Sequence, residues 1–416
     1  ADCVMLSGET AKGKYPKEAV EVMANVCREA EAAVYYKQLS RDMKKSMPAP
    51  ADHNESVAKA VVDASTTNFA KLIITLTSTG TSARLISKYR PRCPILVLAR
   101  DAHVGAALNL HRGCVPYFYP HPKPADGSDD VERRFAYAIA LAQREGLVQK
   151  GDTVALAHGW STGKASLTNF RMAIVGHEDM TQMALTTAVP ALMDQIDFSK
   201  TYTGPVEGGG ISRNNTAEGN WGIVRRMTPA MRRGLQSLSQ DAKTPMDHRA
   251  KLSIYSAPSQ QRFSSVVCTI GPKTKDVEKL TMLREAGLNV ARMNFSHGSY
   301  EYHGSVVANV RQSVKDTPLD GRLVAIALDT KGPEIRTGML KGEADVALAK
   351  GAKLLVTTDA SKKDECDGET LYMDYANLPK VMSVGGIIFV DDGLIGLKVV
   401  SIDAAAGTLT CEGLNN

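Results

Sequence analysis

Three short stretches concentrate side chains that handle phosphate, hard cations and protons. In Ala291-Arg-Met-Asn-Phe-Ser-His-Gly298, the residues Arg292, Asn294 and Ser296 fall at alternate positions, so an extended chain directs them to one side. The planar donor fork of Arg292 suits a phosphate or a carboxylate. In Ala327-Leu-Asp-Thr-Lys-Gly-Pro-Glu-Ile-Arg336, Asp329 and Thr330 supply carboxylate and hydroxyl oxygens for a hard cation, and Arg336 adds another guanidinium. Met5-Leu-Ser-Gly-Glu-Thr-Ala-Lys12 offers Ser7 and Glu9 as a proton-relay pair beside the cation Lys12. Singly, each stretch reads more simply as a capped turn. Three in one chain, each after an apolar run, point to a site.

The runs that must position them are Cys3–Leu6, Val290–Asn294 and Leu323–Asp329, with a further run at Ser265–Ile270. Helical periodicity follows: Val20, Met23, Cys27, Ala30 and Val34 after Pro16, then Val277–Ala286 and a helix before Leu323. Strand–helix units of this kind suit part of a (β/α)8 barrel, whose chemistry sits at the C-terminal ends of the strands. Residues 55–176 alternate differently, helix before strand: Ser56–Phe69 into Lys71–Leu76, Thr81–Tyr89 into Pro94–Ala99, His103–His111 into Val115–Tyr119, Asp130–Glu145 into Thr153–His158 and Phe170–Val175. That pattern predicts an open α/β sheet. Residues 177–262, rich in glycine, proline and basic pairs, read as a linker with one short helix. From Lys341 short strands at Ala344–Leu348, Lys353–Thr358, Ile387–Val390 and Leu397–Ile402 predict a small all-β domain.

With 416 residues, 43% hydrophobic and 23% charged, the chain is long enough for two or three cores. A formal charge of +5 gives no global field for nucleic acid or anionic membrane. The seven cysteines are scattered without zinc or CxxC spacing, which predicts reduced thiols, and no apolar run approaches a membrane span. A soluble cytoplasmic protein is expected. Gly159-Trp-Ser-Thr-Gly-Lys-Ala165 fails as a Walker A loop, one spacer short and lacking the hydroxyl after Lys164. Thr77-Ser-Thr-Gly-Thr-Ser82 is a hydroxyl-rich turn before a helix and suits a phosphate, or serves simply as a cap.

Five motifs resemble pyruvate kinase: Cys268-Thr-Ile-Gly-Pro272, Ala291–Gly298, Leu328-Asp-Thr-Lys-Gly-Pro-Glu-Ile-Arg-Thr337, Val390-Asp-Asp-Gly393 and Met5–Gly13. The similarity covers residues 1–176 and about 263–416, with the family's end preceding its beginning. It implies a last barrel unit and connecting helices in 1–50, an α/β effector domain in 51–176, a linker or leader in 177–262, the first three barrel units in 263–340 and part of a small β-barrel lid in 341–416. The family segments resembling Lys-Ile-Glu-Asn, Gly-Asp-Leu-Gly and Ala-Thr-Gln-Met, on the fourth to seventh barrel strands, have no counterpart in these residues. By resemblance they carry the Mg²⁺ carboxylates and the enolate-stabilising lysine.

The resemblance implies transfer of a phosphoryl group from phosphoenolpyruvate to ADP, giving pyruvate and ATP in glycolysis, with Mg²⁺ and K⁺. Arg292 would hold the phosphoryl group. Asn294, Ser296, Asp329 and the Thr330 carbonyl would hold K⁺, with Glu334 matching the K⁺-dependent form. Pro272, His297, Tyr302 and Arg336 would line the nucleotide site, Lys12 would touch its phosphates, and Ser7 and Glu9 would relay a proton. Asp392 would face the cleft from the lid. Thr77, Ser78, Thr79, Gly80, Thr81 and Ser82, with Trp160 and Lys164, would bind a phosphosugar effector. The rearranged order reads as a tandem of kinase units more readily than as a circular permutation, and a homo-oligomer or linked units are expected. The competing expectation is a non-catalytic structural subunit of a larger assembly. The separation of Ser7 from Arg292 distinguishes one barrel from two.

Overall fold

The structure is a computed structural model that describes residues 1–47, 49–123, 130–159, 167–176, 236–259, 261–318, 321–343, 345–391 and 393–415. It forms two compact units, residues 1–330 and 331–416.

The first unit begins with β1 (Cys3–Leu6), a one-turn helix Gly8–Ala11 and the helix Pro16–Ala32. A second sheet follows from β2 (Leu72–Thr77), β3 (Ile95–Ala99), β4 (Cys114–Phe118), β5 (Thr153–His158) and β6 (Asn169–Ile174). Its order is β4-β3-β2-β5-β6, parallel except for β6. β2 and β3 are buried along their whole length, which is why they read as unbroken apolar runs rather than as alternation. Helices pack on both faces. Two of them start at aspartates whose carboxylates accept backbone N–H groups: Asp52 from Asn54, and Asp101 from His103 and Val104.

β7 (Ser265–Thr269), β8 (Leu288–Asn294) and β9 (Ala325–Asp329) join β1 in a four-stranded parallel sheet of order β1-β7-β8-β9. Leu6 lies beside Cys268, Thr269 beside Arg292 and Asn294 beside Asp329. Ser7, which follows Leu6, therefore adjoins the sheet that carries Arg292. The expected separation into neighbouring barrels does not occur at this sheet, because β7 offers β1 a complete hydrogen-bonding edge. One face of the sheet packs Leu6, Val266, Cys268, Ala291 and Met293 against the helices Pro16–Ala32, Val277–Ala286 and Tyr300–Asp316. The other packs Val267, Val290 and Ala325 with Ala102 and Ala106 from the α/β region.

The stretch expected as a linker is partly structured. A 3-10 turn at Gln236–Asp241 and the helix Pro245–Lys251 dock on the end of Pro16–Ala32, with Gln240 donating to the Glu31 and Ala32 carbonyls and His248 bonded to that of Ala33. The helix Tyr36–Lys45 falls in the 1–50 segment where connecting helices are expected; it buries only Tyr36, with Leu39 and Met43 at helical spacing along the same side.

The second unit is a five-stranded sheet of order β11-β10-β14-β13-β12: β10 (Lys353–Thr357), β11 (Thr370–Tyr372), β12 (Ile387–Val390), β13 (Ile395–Asp403) and β14 (Thr408–Gly413). Its core is Leu354, Val356, Leu397, Val399, Leu409 and Cys411. The strand expected at Ala344–Leu348 is absent over 345–348. Both edges of β10 are already taken, by β11 and β14, so this stretch finds no ladder.

Candidate functional site

Parallel pairing puts the C-terminal ends of β1, β7, β8 and β9 along one edge of the sheet. There the side chain of Arg292, mostly buried, reaches both neighbouring strands. Its Nε donates to Asp329 Oδ2 at 2.8 Å, one terminal nitrogen bonds the same carboxylate, and the other donates to Thr269 Oγ1 at 2.7 Å. Asp329 stays half-exposed, with 46% of its side chain accessible against 14% for Arg292, so the pair meets solvent from the carboxylate side. The Asp329 carbonyl accepts the Phe295 N–H at 2.9 Å. Asn294 Oδ1 accepts the Ser296 N–H at 3.0 Å, curling the chain just beyond β8.

The turn after β1 lies against the end of β7. The Ser7 N–H donates to Glu9 Oε2 at 2.9 Å, so these two residues are joined as a local turn, and both are exposed together with Lys12. Thr10 is fully buried between them and β7. Its hydroxyl donates to the Thr269 carbonyl at 2.9 Å, and its own carbonyl accepts from Thr274 Oγ1 at 2.8 Å. Thr10, Thr269 and Thr274 are the residues that motif reading passed over. Their signal was position: Thr269 closes the β7 run immediately before Ile270-Gly-Pro272, and Thr10 is the one hydroxyl between Glu9 and Lys12.

Pro272 and His297 are exposed on the loops after β7 and β8. The His297 carbonyl accepts from His303 Nε2 at 2.6 Å, and that ring stacks on Phe295 at 4.3 Å between centroids. Tyr302 packs edge-on against His303. Burial, aided by Asp276, raises the Tyr302 hydroxyl above its ordinary range, so it stays a neutral donor. Thr330 follows β9 and is exposed. Arg336 belongs to the second unit, where it donates to Glu334 Oε2 at 2.9 Å and its N–H reaches Asp374 Oδ1 at 2.6 Å. Asp392, Trp160 and Lys164 lie outside the described residues.

Amide, hydroxyl and carboxylate oxygens from Asn294, Ser296 and Asp329 form a donor set that fits a hard cation of low charge, with a single carboxylate among them. Among the described residues, no group of three His, Cys, Asp or Glu side chains gathers in metal-binding geometry.

In the α/β region, β2 continues to β3 on one side of the sheet while β5 lies on its other side, which makes the C-terminal end of β2 a topological switch point, where open α/β sheets place ligands. Thr77–Ser82 lies there. Thr77 Oγ1 accepts the Gly80 N–H at 2.9 Å and is buried with Ser82, while Ser78 and Thr79 are exposed and Thr79 shares a hydrogen bond with Thr81. Gly80 has φ 81°, and a Cβ there would meet Leu108 at 3.2 Å, so glycine is required at the turn.

A parallel sheet with a guanidinium, a carboxylate and hydroxyls along its C-terminal edge, joined to an open α/β domain, defines an α/β protein equipped to handle anions. Comparison narrows this. Residues 261–416 match the family model "Pyruvate kinase, barrel domain", and residues 55–174 match "Pyruvate kinase, alpha/beta domain". The chain belongs to the pyruvate kinase family, with the two domains in reversed order. It is similar to a pyruvate kinase of Hypocrea jecorina, 57% identical over 34% of this chain and 26% of that protein. It is likewise similar to pyruvate kinases of Homo sapiens, 49% identical over 39% of this chain and 29% of that one, and of Candida albicans, 48% identical over 40% and 32%. The aligned part thus spans about a third or less of the length of these relatives.

Proposed function

We propose that this chain forms part of an enzyme that moves a phosphoryl group from phosphoenolpyruvate to ADP. The observation that carries the reading is the convergence of Arg292, Asn294 and Asp329 with the Ser7–Lys12 turn at one edge of one parallel sheet. Loose phosphoryl transfer needs little covalent chemistry from the protein and much charge placement. Arg292 supplies that charge to the transferring group. Asn294, Ser296, Asp329 and the Thr330 carbonyl hold K⁺ beside it, and Ser7 with Glu9 moves a proton toward the enolate carbon. Pro272, His297 and Tyr302, with Lys12, take the nucleotide. The sheet order suits an arc of a (β/α)8 barrel in which the family's last strand adjoins its first three. Finding the two parts in one sheet favours a shared barrel over separate neighbours. Thr77–Ser82 at the switch point suits a phosphorylated effector.

Bound Mg²⁺ would neutralise charge on the transferring phosphoryl group. The family's carboxylates for it belong to segments that these residues do not include, so residues 1–416 alone are expected not to turn over phosphoenolpyruvate and ADP. Phosphoenolpyruvate binding is the direct test. In the presence of K⁺ and Mg²⁺, the ³¹P resonance of phosphoenolpyruvate should shift on titration with the chain, and Arg292→Gln should abolish the shift. An unaltered ³¹P resonance with the wild-type chain would sink the proposal.

A further inference from the structure

We infer that Thr269 is a positioning residue for Arg292, and that the buried hydroxyl chain Thr274–Thr10–Thr269 ties the guanidinium to the turn carrying Ser7 and Glu9. The inference rests on the phosphoryl-binding reading of Arg292. A guanidinium on a flexible stem has many rotamers, and binding geometry improves when neighbours remove that freedom. Asp329 fixes one side of Arg292, through Nε and one terminal nitrogen. That alone leaves the second terminal nitrogen unheld. Thr269, directly across the β7–β8 ladder from Arg292, accepts from it at 2.7 Å. As an acceptor Thr269 Oγ1 keeps its own proton, which is available to an anion seated against Arg292.

Thr269 is itself held. It is 5% exposed, and its carbonyl accepts the hydroxyl of Thr10, which is 0% exposed. That hydroxyl lies closer to Thr269 than to the alternative acceptors, the Leu6 carbonyl at 3.3 Å and the Ser7 carbonyl at 3.4 Å. Thr274, also 0% exposed, donates to the Thr10 carbonyl, and the Lys273 N–H donates to that of Ala11 at 3.2 Å. The turn after β1 and the loop after β7 are therefore locked together, and Arg292 is aimed by a residue inside that lock.

The test is the ³¹P titration of phosphoenolpyruvate with the full chain, K⁺ and Mg²⁺. Loss of a hydrogen bond to a charged group predicts about ten- to hundredfold weaker binding in Thr269→Val. Thr269→Ser, which keeps the hydroxyl, should stay within about threefold of wild type. In an Arg292→Lys background the valine substitution should have little further effect, because the nitrogen that Thr269 holds is gone. If Thr269→Val does not fold, Thr269→Ala takes its place with the same expected loss. Equal binding by wild type and Thr269→Val overturns the inference alone, as does an undiminished valine effect in the lysine background, which would mark a merely structural role. No binding by the wild-type chain overturns the phosphoryl-binding reading and the inference together.

Discussion

Gly271, in the motif that follows β7, owes its identity to a neighbour distant in sequence. A Cβ there would stand 2.6 Å from the Ala11 carbonyl oxygen and 2.7 Å from the Ala11 Cβ, so the loop and the turn after β1 touch backbone to backbone. Gly271→Ala is expected to destabilise the first unit by about 1–3 kcal/mol through forced separation, measured as a lower denaturant midpoint. Asp130 offers a pH-dependent counterpart. Burial alone would raise its carboxyl, but the hydrogen bonds and charge of Arg100 outweigh that and hold it below the ordinary carboxylate range. Such a group adds stability above its unfolded pKa, and the contribution is lost as the pH falls through the lower folded value. The stability advantage of wild type over Asp130→Asn should therefore be complete near neutrality and fade below about pH 4. An advantage independent of pH would refute the assignment.

At the scale of elements, the helix Pro16–Ala32, the loop before β4 and the entrance to β7 meet at Glu31. Its carboxylate accepts the N–H groups of Phe263 and Ser264, each at 2.7 Å, and faces Arg112, which also donates to Tyr36 at 3.0 Å. Both side chains are almost wholly buried. Removing the cation leaves a buried carboxylate short of a partner, so Arg112→Met should cost about 3–5 kcal/mol by chemical denaturation, while Arg112→Lys should recover part of it. The elements themselves were legible wherever one period dominated. β2 and β3 are continuous apolar runs, and β5 was read at its observed limits. Tyr36–Lys45 is expected only as one of the connecting helices of residues 1–50, without bounds, because its apolar residues are few. The site was legible as residue types at strand ends, but its internal pairing was not. Arg292 and Asp329 lie on different strands, and their ion pair depends on a register set by the helix between them. Thr269 and Thr10 lie inside two of the motifs, but their roles were invisible for the same reason: each acts through a backbone carbonyl or a cross-strand neighbour.

For the whole molecule, each unit has its own core: the sheet-and-helix clusters of residues 1–330, and the cluster around Leu354, Leu397 and Leu409 in residues 331–416. Units with separate cores need not share one cooperative transition. Calorimetry should resolve two, the smaller belonging to residues 331–416. A substitution in that smaller core, such as Leu409→Ala, should move the smaller transition and leave the larger in place; one transition that shifts as a whole would contradict this.

The neighbouring of Leu6 with Cys268 also bears on how the chain matures. A ribosome releases β1 ahead of β7 and must produce the entire α/β domain in between before the two can meet. Closure over such a span is slow and of high contact order, whereas β2, β3 and β4 find one another within a few dozen residues. Until then the edge of β1 that β7 will take stays unpaired, and during that interval it is a hazard for aggregation that a chaperone would be well placed to shield.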